Sequence, residues 1–153
     1  MMVNLNPSEN DLLRALVQHG VQFVVVGGRA VNFHGHLRAA PDLDLFYSKT
    51  GDNPLRLIDA LRPFGGTALT LDSLAATVVQ VNIHGSPIQL HPEIDGVSFD
   101  ETYANAVFIQ YAGVRLPFIS CPHLLQSKRA SGRKPDRQKD LDDVAALQTL
   151  CVE

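Results

Sequence analysis

The chain has no excess of basic charge: 13 Lys and Arg stand against 16 Asp and Glu, a formal net charge of −3. No global field therefore draws nucleic acid or an anionic membrane, and any polyanion has to be met by a local patch. Cysteine is scarce. Cys121 and Cys151 lie far apart and match no metal or redox spacing, so two free thiols in a reducing cytoplasm are expected. The start, MMVNLNPSEN, has no basic and no apolar leader segment, so no signal peptide is expected. The longest apolar runs fall far short of a membrane span. There is no repeat, no low-complexity segment and no linker long enough to split the chain. Its 153 residues predict one domain, 1–153, large enough to bury a core. With 45% hydrophobic and 19% charged residues, the balance is globular rather than disordered.

What is present is a mixture of helical and strand patterns. Pro7 and Ser8 precede DLLRALVQHG, where Leu12, Leu13, Leu16 and Val17 share a helical face and Gly20 is a natural stop. Ser8 and Asp11 have capping-box spacing. Val21 to Val26 is nearly unbroken β-branched and aromatic, the pattern of a strand buried on both faces. Gly27 and Gly28 end it, and Arg29 to His36 reads as a short helix with Ala30, Val31 and Phe33 inward. Pro41 breaks the chain before DLDLF, a second strand. Pro54 opens a helix to about Leu61. Short apolar segments follow at about Ala76 to Ile83, Pro87 to His91, Ala106 to Gln110 and Val114 to Phe118. HGSP at 84–87 and AG at 112–113 mark hairpin turns. Two helical stretches, Pro122 to Ala130 and about Asp136 to Leu150, close the chain. Hairpins in the middle exclude a purely parallel sheet, so the expected class is α/β (α+β) with a mixed sheet flanked by helices.

The chemistry concentrates in FVVVGGRAVNFHGHLRAAPDLDLFYS, residues 23–48. A strand that ends in Gly-Gly and turns into a helix lets backbone N–H groups approach a ligand, and the helix start adds partial positive charge. Both suit phosphate. Asp42 and Asp44 are two apart in a strand, so their carboxylates share a face while Leu43 and Leu45 point inward. Two such carboxylates repel unless a cation lies between them, and oxygen-only ligands favour Mg²⁺. A phosphate cradle beside a magnesium platform is equipment for phosphoryl or nucleotidyl transfer. Each half alone is weak: Gly-Gly is often only a tight turn, and DLD is often a solvated strand end. A dinucleotide site wants GxGxxG and a single acid, which GGRAVN and an acid pair fit badly.

The stretch VVVGGRAVNFHGHLRAAPDLDL resembles the signature of the nucleotidyltransferase superfamily with the DNA polymerase β-like fold. LLQSKRASGRKPDRQKDLDDVAAL, 124–147, resembles the late helix of its small bacterial branch, the minimal, AbiEii-type or antitoxin-like nucleotidyltransferases. That branch also carries a His-Gly and an Arg ahead of the Asp pair, as His34, Gly35 and Arg38 stand here. The resemblance spans most of the chain. It implies that Gly27, Gly28 and Arg29 hold a nucleoside triphosphate, ATP by expectation, and that Asp42 and Asp44 bind Mg²⁺. For Lys128 there are two readings, a phosphate ligand or a solvated helix face. Arg38 either aids the phosphates or neutralises Asp42. Asp140 and Asp143 are expected to contact the basic SKRASGR segment.

Active relatives need a third carboxylate, which helps hold the metal and takes the acceptor's proton. Counting back from Gly96 in IQLHPEIDGVSF, 88–99, puts Gln89 at that position. Gln is neutral and cannot act as a base, whereas His91, two residues on and on the same face, can accept a proton. Glu93 and Asp95 are expected to be carried away by the loop. His34 and His36 either contact nucleotide or pack beneath their loop. His19 and His84 have no assigned role, and CPH at 121–123 is too isolated for a zinc site.

Two functions follow. One is Mg²⁺-dependent transfer of a nucleoside monophosphate, AMP from ATP, to a hydroxyl of an acceptor that is a small molecule, RNA or a partner protein. The other is an impaired member acting as a nucleotide-binding or toxin–antitoxin-like interaction module. In a short chain, acceptor choice falls to loops, a partner or a homo-oligomer.

Overall fold

A computed structural model describes residues 2–65, 69–134 and 138–151. Helix α1, Pro7–Gln18, starts where Asn6 caps it: Asn6 Oδ1 accepts from Glu9 N at 2.8 Å, and Glu9 Oε1 accepts from Asn6 N at 3.0 Å. This is the capping box, two residues ahead of the expected Ser8 and Asp11. Pro7 makes the difference, because its fixed φ and missing N–H suit the first helical position and leave Asn6 as the cap.

Strand β1 is Phe23–Val26, shorter than expected, with Val21 and Gln22 forming the approach to it. Helix α2, Gly27–Phe33, begins at the glycines themselves. Strand β2 is Leu43–Tyr47, and helix α3 is Asn53–Leu61. A 3₁₀ turn at Arg62–Phe64 and helix α4, Leu71–Ala76, follow, so Ala76 is helical and not part of a strand. The hairpin of β3, Val79–Ile83, and β4, Ser86–His91, comes next. Helix α5, Phe99–Ala104, leads to a second hairpin, β5, Val107–Tyr111, and β6, Val114–Phe118. Both hairpins turn through two residues at positive φ: His84 (+50°) and Gly85 (+83°), then Ala112 (+50°) and Gly113 (+80°). That backbone matches the right-handed twist of paired strands. Helices α6, Cys121–Ser131, and α7, Gln138–Leu150, finish the fold. The expected helix start at Asp136 lies outside the described residues.

The six strands form one mixed sheet in the order β3-β4-β2-β1-β6-β5. β1 runs antiparallel to β2 and parallel to β6, and β2 runs parallel to β4. Alternation splits the apolar residues between two cores. Phe23, Val25, Leu43, Leu45 and Tyr47 join Leu12, Leu13 and Leu16 of α1 and Leu57 and Leu61 of α3. Val24, Val26 and Phe46 join Ala30 and Val31 of α2, Leu124 of α6 and Leu147 of α7. The valine run is continuous because both of its faces are covered. Asp44 lies between Leu43 and Leu45 in sequence but projects on the α2–α6–α7 side, the same side as Val26 and Phe46.

The cysteines are not free thiols. Cys121 and Cys151 form a disulfide with Cα atoms 5.4 Å apart, tying the start of α6 to the end of α7. The sequence separation of 30 hid this, because the antiparallel packing of the two helices is what brings the ends together. No helix among the described residues is long and apolar enough to cross a membrane.

Candidate active site

On the α2–α6–α7 side the sheet opens into a cleft of about 470 Å³. Gly27, Gly28, Arg38, Asp42, Asp44, Gln89, His91 and Lys128 all line it. One wall is the β1–α2 turn with the Asp pair. Gly27 has φ +67°, and a Cβ there would collide with the Asp44 carboxylate, whose Cγ would lie 2.8 Å away. A side chain on Gly28 would meet Ala40 Cβ at 2.8 Å and Arg38 Nη1 at 3.0 Å. Gly27 is thus required both by conformation and by the closeness of the carboxylate, and Gly28 by the closeness of Ala40 and Arg38. Leu43 and Leu45 are buried in the opposite core, which fixes Asp42 and Asp44 toward the cleft.

Strand β4 brings its residues alongside in register. Asp44 is opposite Gln89, and Phe46 is opposite His91. Ile88 and Leu90 are fully buried, and Gln89 between them faces the cleft, its Nε2 3.4 Å from Asp42 Oδ2. His91 Nε2 lies 2.8 Å from Asp44 Oδ1. The loop after β4 does not carry Glu93 and Asp95 clear of the cleft; both line its rim. Their carboxylates are engaged there, Glu93 with Lys49 at 3.2 Å and Asp95 with Lys134 at 2.8 Å.

The facing wall is built by α6 and α7 around Asp143, which is completely buried. Arg38 grips it with a two-pronged bond, Nε to Oδ1 and Nη2 to Oδ2, each 2.8 Å. Lys128 Nζ lies 3.2 Å from Asp143 Oδ2 and 3.0 Å from Asp140 Oδ1. Burial acts to raise the Asp143 pKa, but the hydrogen bond from Arg38 and the charges of Lys128 and Arg38 overcome it and hold the group below the usual carboxylate range. Arg38 is shifted upward, chiefly by its hydrogen bond to Asp143. Lys128 is therefore not on a solvated helix face, and Arg38 is paired with Asp143 rather than with Asp42. The expected contact of Asp140 and Asp143 with the basic segment is made through Lys128.

Arg29 is placed elsewhere. It is buried against Glu9, with Nη1 to Oε1 at 2.7 Å and Nη2 to Oε2 at 3.0 Å. It also donates to the carbonyls of Asn4, Ala40 and Pro41. It does not line the cleft; it ties α1 and α2 to the segment that leads into Asp42. Helical spacing explains this, since a residue two after Gly27 points to the opposite side of α2. His34 packs rather than lining the cleft: its Nε2 meets the Ile119 carbonyl at 2.7 Å, and burial lowers its pKa. His36 also stands outside the lining, 3.7 Å from Asp143. Sequence reasoning passed over Lys134 and Lys139, which complete the basic rim. The signal was present in the Lys and Arg density of 128–139, but only helix packing selects which of them turn inward.

Among the described residues, no group of three or more His, Cys, Asp and Glu is gathered as a metal cage.

No protein-family model matches the chain, and no curated protein matches it. Solved structures do. ANT(2")-Ia, determined in complex with adenylyl-2"-tobramycin, aligns over 94% of this chain and 87% of its own at a TM-score of 0.56 and 15% identity. The lincosamide antibiotic adenylyltransferase LnuA, lincomycin-bound, aligns over 95% of this chain and 99% of its own at a TM-score of 0.55 and 16% identity. An antigenic nucleotidyltransferase-like protein from Paracoccidioides brasiliensis aligns over 94% and 78% at a TM-score of 0.53 and 17% identity. At such low identity the likeness speaks to architecture: the chain has the nucleotidyltransferase fold that the two sequence motifs implied.

Proposed function

We propose that the protein transfers a nucleoside monophosphate, AMP from ATP, to a hydroxyl of a second molecule. The observation that carries this reading is the wall where Asp42 and Asp44 face one cleft against a glycine turn with no room for a side chain. Two carboxylates on one face fit Mg²⁺, which takes one or two carboxylates and fills its remaining positions with phosphate oxygens and water. When bound, the ion neutralises charge that builds on the leaving pyrophosphate. The acceptor oxygen bonds to the α-phosphorus, the bridge to the β-phosphate breaks, and the hydroxyl proton must go to a base. Gln89 cannot take it. The His91 imidazole lines the same cleft, but its Nε2 is engaged with Asp44 Oδ1 at 2.8 Å, so wild-type transfer lacks a dedicated carboxylate base and is slow. The adenylyl group is favoured by two of the structural neighbours, an enzyme held with its adenylylated antibiotic and an antibiotic adenylyltransferase. The same neighbours favour a small-molecule acceptor.

Melting curves with each nucleoside triphosphate, with and without Mg²⁺, test the reading. ATP should stabilise the protein only with the metal, and Asp44→Asn should abolish that response while keeping the fold. No response to any nucleotide would overturn the transferase and leave an interaction module.

A further inference from the structure

Among the described residues, the four Lys and Arg side chains that line the cleft are not equivalent, and the difference singles out one of them for the donor. Arg38 is spent on Asp143 through two bonds of 2.8 Å. Lys128 is spent on Asp140 and Asp143, and Lys134 on Asp95. Arg38, Lys128, Asp140 and Asp143 form a neutral quartet. Asp143 at its centre has no access to water, so a cation drawn away from it would leave a buried charge uncompensated. Lys139 differs. It stands in the first turn of α7, is exposed, lines the cleft and has no ion pair or hydrogen bond among the described residues.

We propose that Lys139, not Lys128, contacts the outer phosphates of the donor, and so makes the site selective for a nucleoside polyphosphate over a monophosphate. The inference rests on the nucleotidyl-transfer reading above. A lysine suits this role because its ammonium is a compact charge on a flexible four-carbon stem, able to follow a mobile phosphate chain without a preset geometry. The neutral quartet then acts as scaffold. It holds α6 and α7 across from the Asp pair and sets where Lys139 emerges.

The test is calorimetric titration of wild type, Lys139→Ala, Lys139→Arg and Lys128→Ala with ATP, ADP and AMP in Mg²⁺. Wild type should bind ATP more tightly than AMP. Lys139→Ala should weaken ATP by about fivefold to tenfold, the size of a solvent-exposed charge contact, and leave AMP unchanged. Lys139→Arg should restore the preference. Because Lys139 is exposed, its variants should melt with wild type. Lys128→Ala should instead lower the melting temperature, and where it stays folded it should keep the preference for ATP. An ATP-to-AMP ratio unchanged in Lys139→Ala, or one lost only in Lys128→Ala, overturns the inference while the transferase reading stands. Failure of wild type to bind any nucleotide overturns both.

Discussion

The two walls of the cleft are built in opposite ways. The Gly-Asp wall comes from one stretch, 23–48, in which strand, turn, helix and strand follow one another and adjacent strands pair directly. Its geometry is held by backbone register and by a glycine that admits a carboxylate. The basic wall comes from α6 and α7, near the far end of the chain, and is held by side chains: one buried aspartate, an arginine from the loop before β2, a lysine and a disulfide. Arg29 and Arg38 make the same contrast in miniature. Arg29 serves the first wall from behind, through Glu9 and the carbonyls before Asp42, while Arg38 crosses the cleft to the second. A wall held by register tolerates changes in its side chains but not in its glycines. A wall held by ion pairs is the reverse.

Breaking the basic wall should have the largest effect. Asp143→Ala takes the carboxylate away from half-buried Arg38 and leaves Lys128 with Asp140 alone, and removal of one partner from such a buried network costs about 3–5 kcal/mol. Denaturant unfolding should show this, with α7 lost first in amide exchange. A result under about 1 kcal/mol would show that the network behaves like a surface ion pair. The next effect adds to the Gly-Asp wall. Gln89→Asp introduces a third carboxylate beside Asp42 and should raise nucleotidyl transfer by about a hundredfold or more, the contribution of a positioned base. Without metal it should lower the melting temperature by repulsion, and Mg²⁺ should reverse that. Brisk wild-type transfer that falls in Gln89→Asp would assign the base to His91 instead.

Gly27→Ala follows in size. A non-glycine residue at φ +67° costs about 1–3 kcal/mol, and the new methyl group displaces the Asp44 carboxylate. Thermal melts should record the strain, and Mn²⁺ titration the loss of the platform. Gly51, also at positive φ but with nothing within 4 Å, is the control: Gly51→Ala should show strain without loss of metal binding. The smallest effect belongs to His34, which packs against the Ile119 carbonyl. Its folded pKa is lowered from 6.5 by burial, so the unfolded chain takes up the proton first as pH falls. Its contribution is therefore complete above pH 6.5 and declines as the pH drops below that value. His34→Gln should flatten this part of the pH–stability profile.

By itself the sequence determined the Gly-Asp wall. Its information is local: β-branched residues demand a strand, the glycines a tight turn, and alternation puts Asp42 and Asp44 on one side with Leu43 and Leu45 on the other. The position of Gln89 was also legible, because period-two alternation continues through Ile88 and Leu90. Only the tertiary structure decided the rest. A helix presents charged residues all around its axis, so nothing local says that Lys128 turns in to Asp143, that Arg29 turns away to Glu9, or that Lys139 stands at the rim without an ion pair among the described residues. Nor does the spacing of Cys121 and Cys151 reveal that two antiparallel helices bring them together. These pairings depend on which elements pack against which, and long-range packing is a property of the whole chain.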